Sequence, residues 1–315
     1  MRDTLSCLSV QVAAAGLFWA APGASAGDAM PAPLAVWLLN EPSGTIAFDS
    51  AGTFDGEYLG APAFSIAGPV DPCGDTAVLF DGVNDNVLVA GVGDDLDIGD
   101  DSFTVIARYR KLDDNPRFMK IVNKGLTSAG TPNNTGYHLR VRDGIIEFGV
   151  STGPGAIQSV SGPEPDINVW HFAAGVFDRD GQEIRMHINP VDASPTGVEP
   201  LTPVGSIVTN IDFSIGALDR TPVSGTTEYF NGIIDEVRLY RVALTGEQIL
   251  ELATPILPCL ADLAEPFGVL DLADLVGFIT AFQAQDSSAD LSPPCGLFDL
   301  ADVTAFVTEF VLGCE

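Results

Sequence analysis

Residues 231–240 read Asn231-Gly-Ile-Ile-Asp-Glu-Val-Arg-Leu-Tyr240. From Ile233 to Tyr240 this is a strand, rich in β-branched and aromatic side chains. Thr245-Gly-Glu-Gln248 follows as a capping box, in which Thr245 and Gln248 satisfy each other's orphan amides, so a short helix should run to about Ala253. Upstream, the same strand grammar recurs. Phe103-Thr-Val-Ile-Ala-Arg-Tyr-Arg110 places Phe103, Val105, Ala107 and Tyr109 on one face. Tyr137, Leu139 and Val141 alternate with His138, Arg140 and Arg142, and Asp143-Gly144 makes a tight turn into Ile145–Val150. Trp170–Asp178 and Ile184–Ile188 flank Arg179-Asp180-Gly181 in the same way. Many strands and almost no helix predict a mainly β protein, a two-sheet antiparallel sandwich.

The composition agrees. The chain has 315 residues, 46% hydrophobic and 18% charged, with 33 Gly and 22 Pro for frequent turns. That length predicts roughly two domains. Lys+Arg total 14 against 43 Asp+Glu, a net charge of −29, which would repel a phosphate backbone and excludes direct nucleic-acid binding.

Residues 1–26 have the pattern of an export signal: Arg2, an apolar run from Leu5 to Ala21, and a small-x-small site at Ala24-Ser25-Ala26. The run is short for a membrane anchor, and no later stretch reaches ~18 apolar residues. The chain is therefore expected outside the cytoplasm or at the cell surface, not spanning the membrane. Cys7 leaves with the signal; Cys73, Cys259, Cys295 and Cys314 remain, an even number suited to disulfides. Cys259 and Cys314 bracket the last segment and are the expected pair, a closure worth about 4 kcal/mol in the chain-entropy model.

In order along the chain, Val36-Trp-Leu-Leu-Asn-Glu-Pro-Ser-Gly44, Leu79-Phe-Asp-Gly82, Phe103-Thr-Val105, Ile121-Val-Asn-Lys-Gly125, Trp170-His-Phe172 and Asn231–Tyr240 resemble the laminin-G-like, concanavalin A-type jelly roll. The resemblance spans nearly all of residues 34–253 and implies two antiparallel sheets packed face to face over a domain of residues 27–253. It names no ligand, because such domains bind sugars, proteins or nothing known. It permits a structural calcium between Asp49, in the loop Asp49-Ser-Ala-Gly-Thr-Phe-Asp-Gly56, and Asp235 on the late strand. The plainer reading has Asp49 and Asp55 capping turns and Asp235 facing solvent.

Eight of the 14 basic residues lie between Arg108 and Arg142. They form either a cationic island for an acidic polysaccharide or, as their alternation favours, the wet face of ordinary strands. Trp37 and Trp170 sit in strand patterns and are expected in the core. A laminarinase-type glycosidase needs paired carboxylates in a Glu-x-Asp-x-x-Glu pattern, and Glu164-Pro-Asp166 is the one remote match. His138, His171 and His187 have no evident nucleophile partner, and there is no Gly-x-Ser-x-Gly elbow. Catalysis is not expected.

After Thr254-Pro-Ile-Leu-Pro258, a rigid linker, residues 259–315 carry seven Asp and three Glu with no Lys or Arg. A repeat at an offset of 28 aligns Ala261–Phe282 with Ala289–Phe310 at twelve identities in 22 positions. Leu275, Phe278, Ile279 and Phe282 are spaced i, i+3, i+4, i+7, as are Val303, Phe306, Val307 and Phe310, so each repeat should be a loop followed by a helix capped by Asp271 or Asp299. This segment resembles a dockerin domain, in the variant ending Gly-Cys found on exported proteins of planctomycete-like bacteria. The resemblance implies calcium held by Asp262, Asp271 and Asp274 in one loop and by Asp290, Asp299 and Asp302 in the other. The central ligand positions are instead Ala264 and Pro266, and Ser292 and Pro294. It also implies anchoring to a cell-surface or cohesin-like protein.

Together these readings describe an exported, non-catalytic protein whose jelly roll binds extracellular glycan or a surface and whose small α-helical tail tethers it. The alternatives are a glycoside hydrolase or lyase on the same sandwich, and a structural envelope component with no soluble ligand.

Overall fold

Alternation along residues 103–111 becomes a strand whose Phe103, Val105, Ala107 and Tyr109 side chains are all buried in one core. The computed structural model describes residues 29–69, 75–90, 96–113, 118–125, 135–153, 156–163, 165–202, 205–209, 211–218, 228–254, 261–265, 269–292 and 296–312. All its elements lie within the unit Pro31–Glu315. The export signal, the four later cysteines and Glu164 lie outside the described residues. In chain order the strands are β1 (Ala35–Trp37), β2 (Ile46–Ala47), β3 (Gly56–Leu59), β4 (Ala63–Ala67), β5 (Thr76–Asp81), β6 (Asn86–Val89), β7 (Phe103–Lys111) and β8 (Met119–Lys124). They continue as β9 (Thr135–Arg142), β10 (Ile145–Thr152), β11 (Ile157–Gly162), β12 (His171–Asp178), β13 (Glu183–Ile188), β14 (Gly197–Pro200), β15 (Phe213–Ile215) and β16 (Asn231–Tyr240). The helices are α1 (Gly246–Ala253), α2 (Leu272–Ala284) and α3 (Leu300–Leu312).

The strands form two eight-stranded antiparallel sheets. One runs β14-β13-β12-β7-β16-β5-β4, with β1 also on β16; the other runs β11-β10-β9-β8-β15-β6-β3-β2. Between them Trp37 stacks on Phe213 at 4.8 Å, and Phe103 meets Tyr137, Phe148 and Phe177. Such aromatic pairs add about 1 kcal/mol each beyond their buried area. Phe148 needs the gap at Gly175, where a Cβ would lie 2.2 Å from its ring. The β9–β10 turn has positive φ at Asp143 (49°) and Gly144 (82°), the backbone that joins twisted strands in two residues.

The predicted capping box is present: the Gln248 amide donates to Thr245 Oγ1 at 3.3 Å and the Thr245 amide to Gln248 Oε1 at 2.9 Å. The helix ends against Arg108, whose Nη2 donates to the Leu252 carbonyl at 2.6 Å and the Ala253 carbonyl at 3.3 Å. A cation there meets the negative end of the helix dipole.

In the tail the two predicted helices pack through Phe278 and Phe306, stacked at 4.1 Å, over a cluster completed by Ala261, Ala289 and Leu291. The predicted caps are present: Asp271 accepts from the Ala273 amide and Asp299 from the Ala301 amide, both at 2.6 Å.

Candidate functional site

Trp170 is not in the core. Asn168 takes a positive φ of 59° just before it, which ends the preceding loop sharply and leaves Trp170 half-buried immediately ahead of β12. Trp37, by contrast, is fully buried. Trp170 lines a cavity of about 390 Å³ with Arg108, His171, Phe172, Asn189 and Pro190, closed on one side by Ala253 and Thr254 at the end of α1. An aromatic wall with a few fixed polar groups is the usual make-up of a small-ligand site.

Those polar groups are held in place. The Asn189 amide nitrogen donates to His171 Nδ1 at 2.9 Å, and Asn189 Oδ1 accepts from the Phe172 amide at 2.7 Å. His171 Nε2 then carries the proton and donates to the Asp166 carbonyl at 3.3 Å. Burial lowers the His171 pKa, so the ring stays neutral. Arg108 is tied to Glu236 at 3.2 Å and lies over the Phe172 ring. Arg110 lies over the Trp170 ring at 5.2 Å. Sequence reasoning missed Asn189 and misplaced Trp170; Asn189-Pro190 at a strand end, and Asn168 before Trp170, were the available signals.

Lys120 and Lys124 of β8 and Arg140 of β9 are not on a wet face, whereas Arg142 is partly exposed. Lys120 is buried against Glu228 at 3.4 Å, Lys124 against Asp97 at 3.2 Å, and Arg140 against Glu147 at 2.6 Å. His138 Nε2 lies 3.1 Å from the same Glu147 carboxylate. Alternation shows which side chains share a face but not that this face is covered. Burial raises the Glu147 pKa, but His138 and Arg140 outweigh it and hold the carboxyl at about 2.

The candidate metal ligands lie in separate groups. Asp49 accepts from the amides of Val36, Ala51 and Phe54 at 2.9, 3.0 and 3.1 Å, and Asp55 accepts from the Asp49 amide at 2.8 Å, so both cap the loop. Asp235 does not face solvent: it is 4% exposed, and its acidic neighbours are Asp75 and Glu236. In the tail, Asp274 Oδ1 accepts from the Leu263 and Ala264 amides, each at 2.8 Å, and its Oδ2 from the Asp271 amide at 2.9 Å. Asp302 repeats this with Leu291, Ser292 and Asp299 at 2.8, 2.9 and 2.9 Å. Asp290 Oδ2 accepts from the Gly296 amide at 2.5 Å, leaving Oδ1 buried without a hydrogen bond. Calcium takes six to eight oxygens. Among the described residues no three His, Cys, Asp or Glu side chains gather as a metal site.

Among the described residues no helix is long and apolar enough to cross a membrane. No curated protein matches the sequence. The binding domain of Paraclostridial mosquitocidal protein 1 shares the fold, with a TM-score of 0.52 at 14% identity over 70% of this chain and 51% of that one. The botulinum neurotoxin serotype G binding domain gives 0.52 at 14% identity over 75% and 53%. Botulinum neurotoxin type C, which depends on interaction with two ganglioside molecules to enter cells, gives 0.50 at 16% identity over 69% and 50%. The chain thus spans about half the length of each of these structures. Residues 81–250, more than half of the chain, match the laminin-G-3 family profile, and with two antiparallel sheets and the short helix after β16 the chain belongs to the concanavalin A-like lectin/glucanases superfamily.

Proposed function

We propose that this is an exported, non-catalytic binding protein that takes up an extracellular glycan in the Trp170 cavity and is tethered by its helical tail. The observation that carries the glycan reading is the position of Trp170, half-buried on a cavity wall beside the oriented His171–Asn189 pair. A sugar offers an apolar ring face for such a side chain, and its hydroxyls suit the second amide N–H and second Oδ1 lone pair of Asn189 that His171 and Phe172 do not use.

The tether reading is supported by a duplicated apolar face. Val269, Leu272 and Ile279 are 54%, 71% and 47% exposed, and their repeat equivalents Leu297, Leu300 and Val307 are 53%, 76% and 48% exposed. Matched exposure at matched positions marks a repeated surface, and large exposed apolar patches mark interaction sites. The tail's acids, with no Lys or Arg, suit a cell-surface or cohesin-like partner with a basic rim.

The test is a glycan array followed by calorimetry on the full chain. Binding that weakens at least tenfold in Trp170→Ala, with no reducing ends released, is the expected result. Release of sugar overturns the non-catalytic reading. A blank array returns the chain to the structural envelope alternative.

A further inference from the structure

We infer that a second cavity, at the other end of α1 from Trp170, binds the neutral, hydroxylated end of a glycan against His187. This rests on the glycan reading above, but on different residues. The cavity measures about 440 Å³ and lies between β13, the loop before β14 and the start of α1. Ala193, Pro195, Val198 and Leu244 give it apolar walls, and Asp178, Glu183 and Arg185 give it a charged edge.

His187 is the unexplained group. It stands on β13 opposite Ala174 of β12, is 1% exposed, and neither ring nitrogen has a hydrogen-bond partner. A buried imidazole with both nitrogens unmet is costly, and native chains rarely keep one without a use. Burial, reinforced by Arg185, lowers its pKa to about 4, so at neutral pH the ring offers one N–H donor and one acceptor. Two adjacent hydroxyls of a sugar supply the complementary acceptor and donor. Anionic ligands are disfavoured: Arg185 is occupied, with Nη1 on Asp178 at 3.2 Å and Glu183 at 2.6 Å and Nη2 on the Leu244 carbonyl at 3.0 Å. One cation against two carboxylates leaves the edge net negative.

The two cavities are separated by the eight residues of α1, about 12 Å at 1.5 Å per residue. A glycan of a few units engaging both gains from effective concentration.

The chain has three histidines, and each reports on a different place: His171 on the Trp170 cavity, His187 on this one, His138 on the buried ion cluster. Imidazole ¹H–¹⁵N spectra of the full chain, titrated with xylotetraose, laminaritetraose, chitotetraose and tetragalacturonate, separate the cases. The expected result is a shift at His187 with a neutral oligosaccharide, none with tetragalacturonate, and none at His138. His187→Phe should abolish binding at this cavity. Val198→Trp, which fills the cavity from an exposed position and leaves His187 in the sequence, should weaken it at least tenfold. Shifts at His171 alone leave the glycan reading standing and overturn the second site. Shifts at His187 alone support the second site and overturn the Trp170 cavity. Silence at both overturns both, and a His187 response to Zn²⁺ but to no sugar overturns the ligand class.

Discussion

Asp235→Asn should make the protein more stable at pH 8 and change it little at pH 4. Asp235 sits on β16, nearly inaccessible, and burial first, then Asp75 and Glu236, push its carboxyl up to about 8 against the opposing pull of Arg108 and Arg238. In the unfolded chain it titrates near 3.9. Between those values the folded protein holds a proton that the unfolded chain has lost, so stability falls as pH rises through this window, by roughly 1.4 kcal/mol per pH unit. From pH 4 to pH 7 that sums to about 4 kcal/mol, an upper figure because neighbouring groups can relax. Asparagine resembles the protonated acid in size and cannot ionise, so it removes the pH-dependent cost. Urea unfolding of both proteins at half-unit steps from pH 4 to 8, compared at constant m, isolates this group from every other titration. The variant's advantage should grow by a few kcal/mol across the range. A difference between the two proteins that stays flat with pH would refute the reasoning. A calcium-dependent gain in stability in the wild type that Asp235→Asn lacks would instead place a cation at this carboxylate.

Other expectations follow from the same contacts. Trp37→Ala should cost about 3–5 kcal/mol of stability as a core truncation, while Trp170→Ala should cost under about 1.5 kcal/mol yet abolish glycan affinity; denaturation and calorimetry on the same samples separate the two. Glu147→Gln should destabilise by about 3 kcal/mol at pH 7, because Lys120 and Arg140 lose their compensating charge. In the wild type the Glu147 contribution, present above about 4.3, should fade as pH drops toward 2, visible as an acid limb in Tm that the variant lacks. Chelation should leave Tm unmoved, and Asp302→Ala should raise amide exchange at Leu291, Ser292 and Asp299 with or without calcium. A calcium-dependent rise in Tm would instead place a cation in the tail loops.

Strands were legible wherever one face is buried. Period-2 alternation at Phe103–Arg110 and Tyr137–Arg142 states directly which side chains point inward, because successive Cβ atoms alternate across a strand. Helix starts were legible for a similar reason: Thr245/Gln248, Asp271 and Asp299 act on amides two or three residues away. Trp170 and Asp235 were not legible. Each obeys a local strand pattern, but whether its surroundings are core, cavity or a crowd of carboxylates depends also on residues far along the chain, such as Arg108 and Ala253 for Trp170 and Asp75 for Asp235.

Local pattern in this chain therefore carries the architecture: the order of strands, the capped helices, the duplicated tail and an acidity that excludes nucleic acid. Capping hydrogen bonds and side-chain alternation span few residues, so a linear string records them. What needed the assembled sheets was the fate of each polar group. Asp49 is spent on amides, Asp235 crowded by Asp75, Lys120 buried on Glu228, and His171 oriented by Asn189 while His187 is left unmet. Charge and hydrogen-bond energies depend on separation and dielectric, and both are set only when distant strands close on one another.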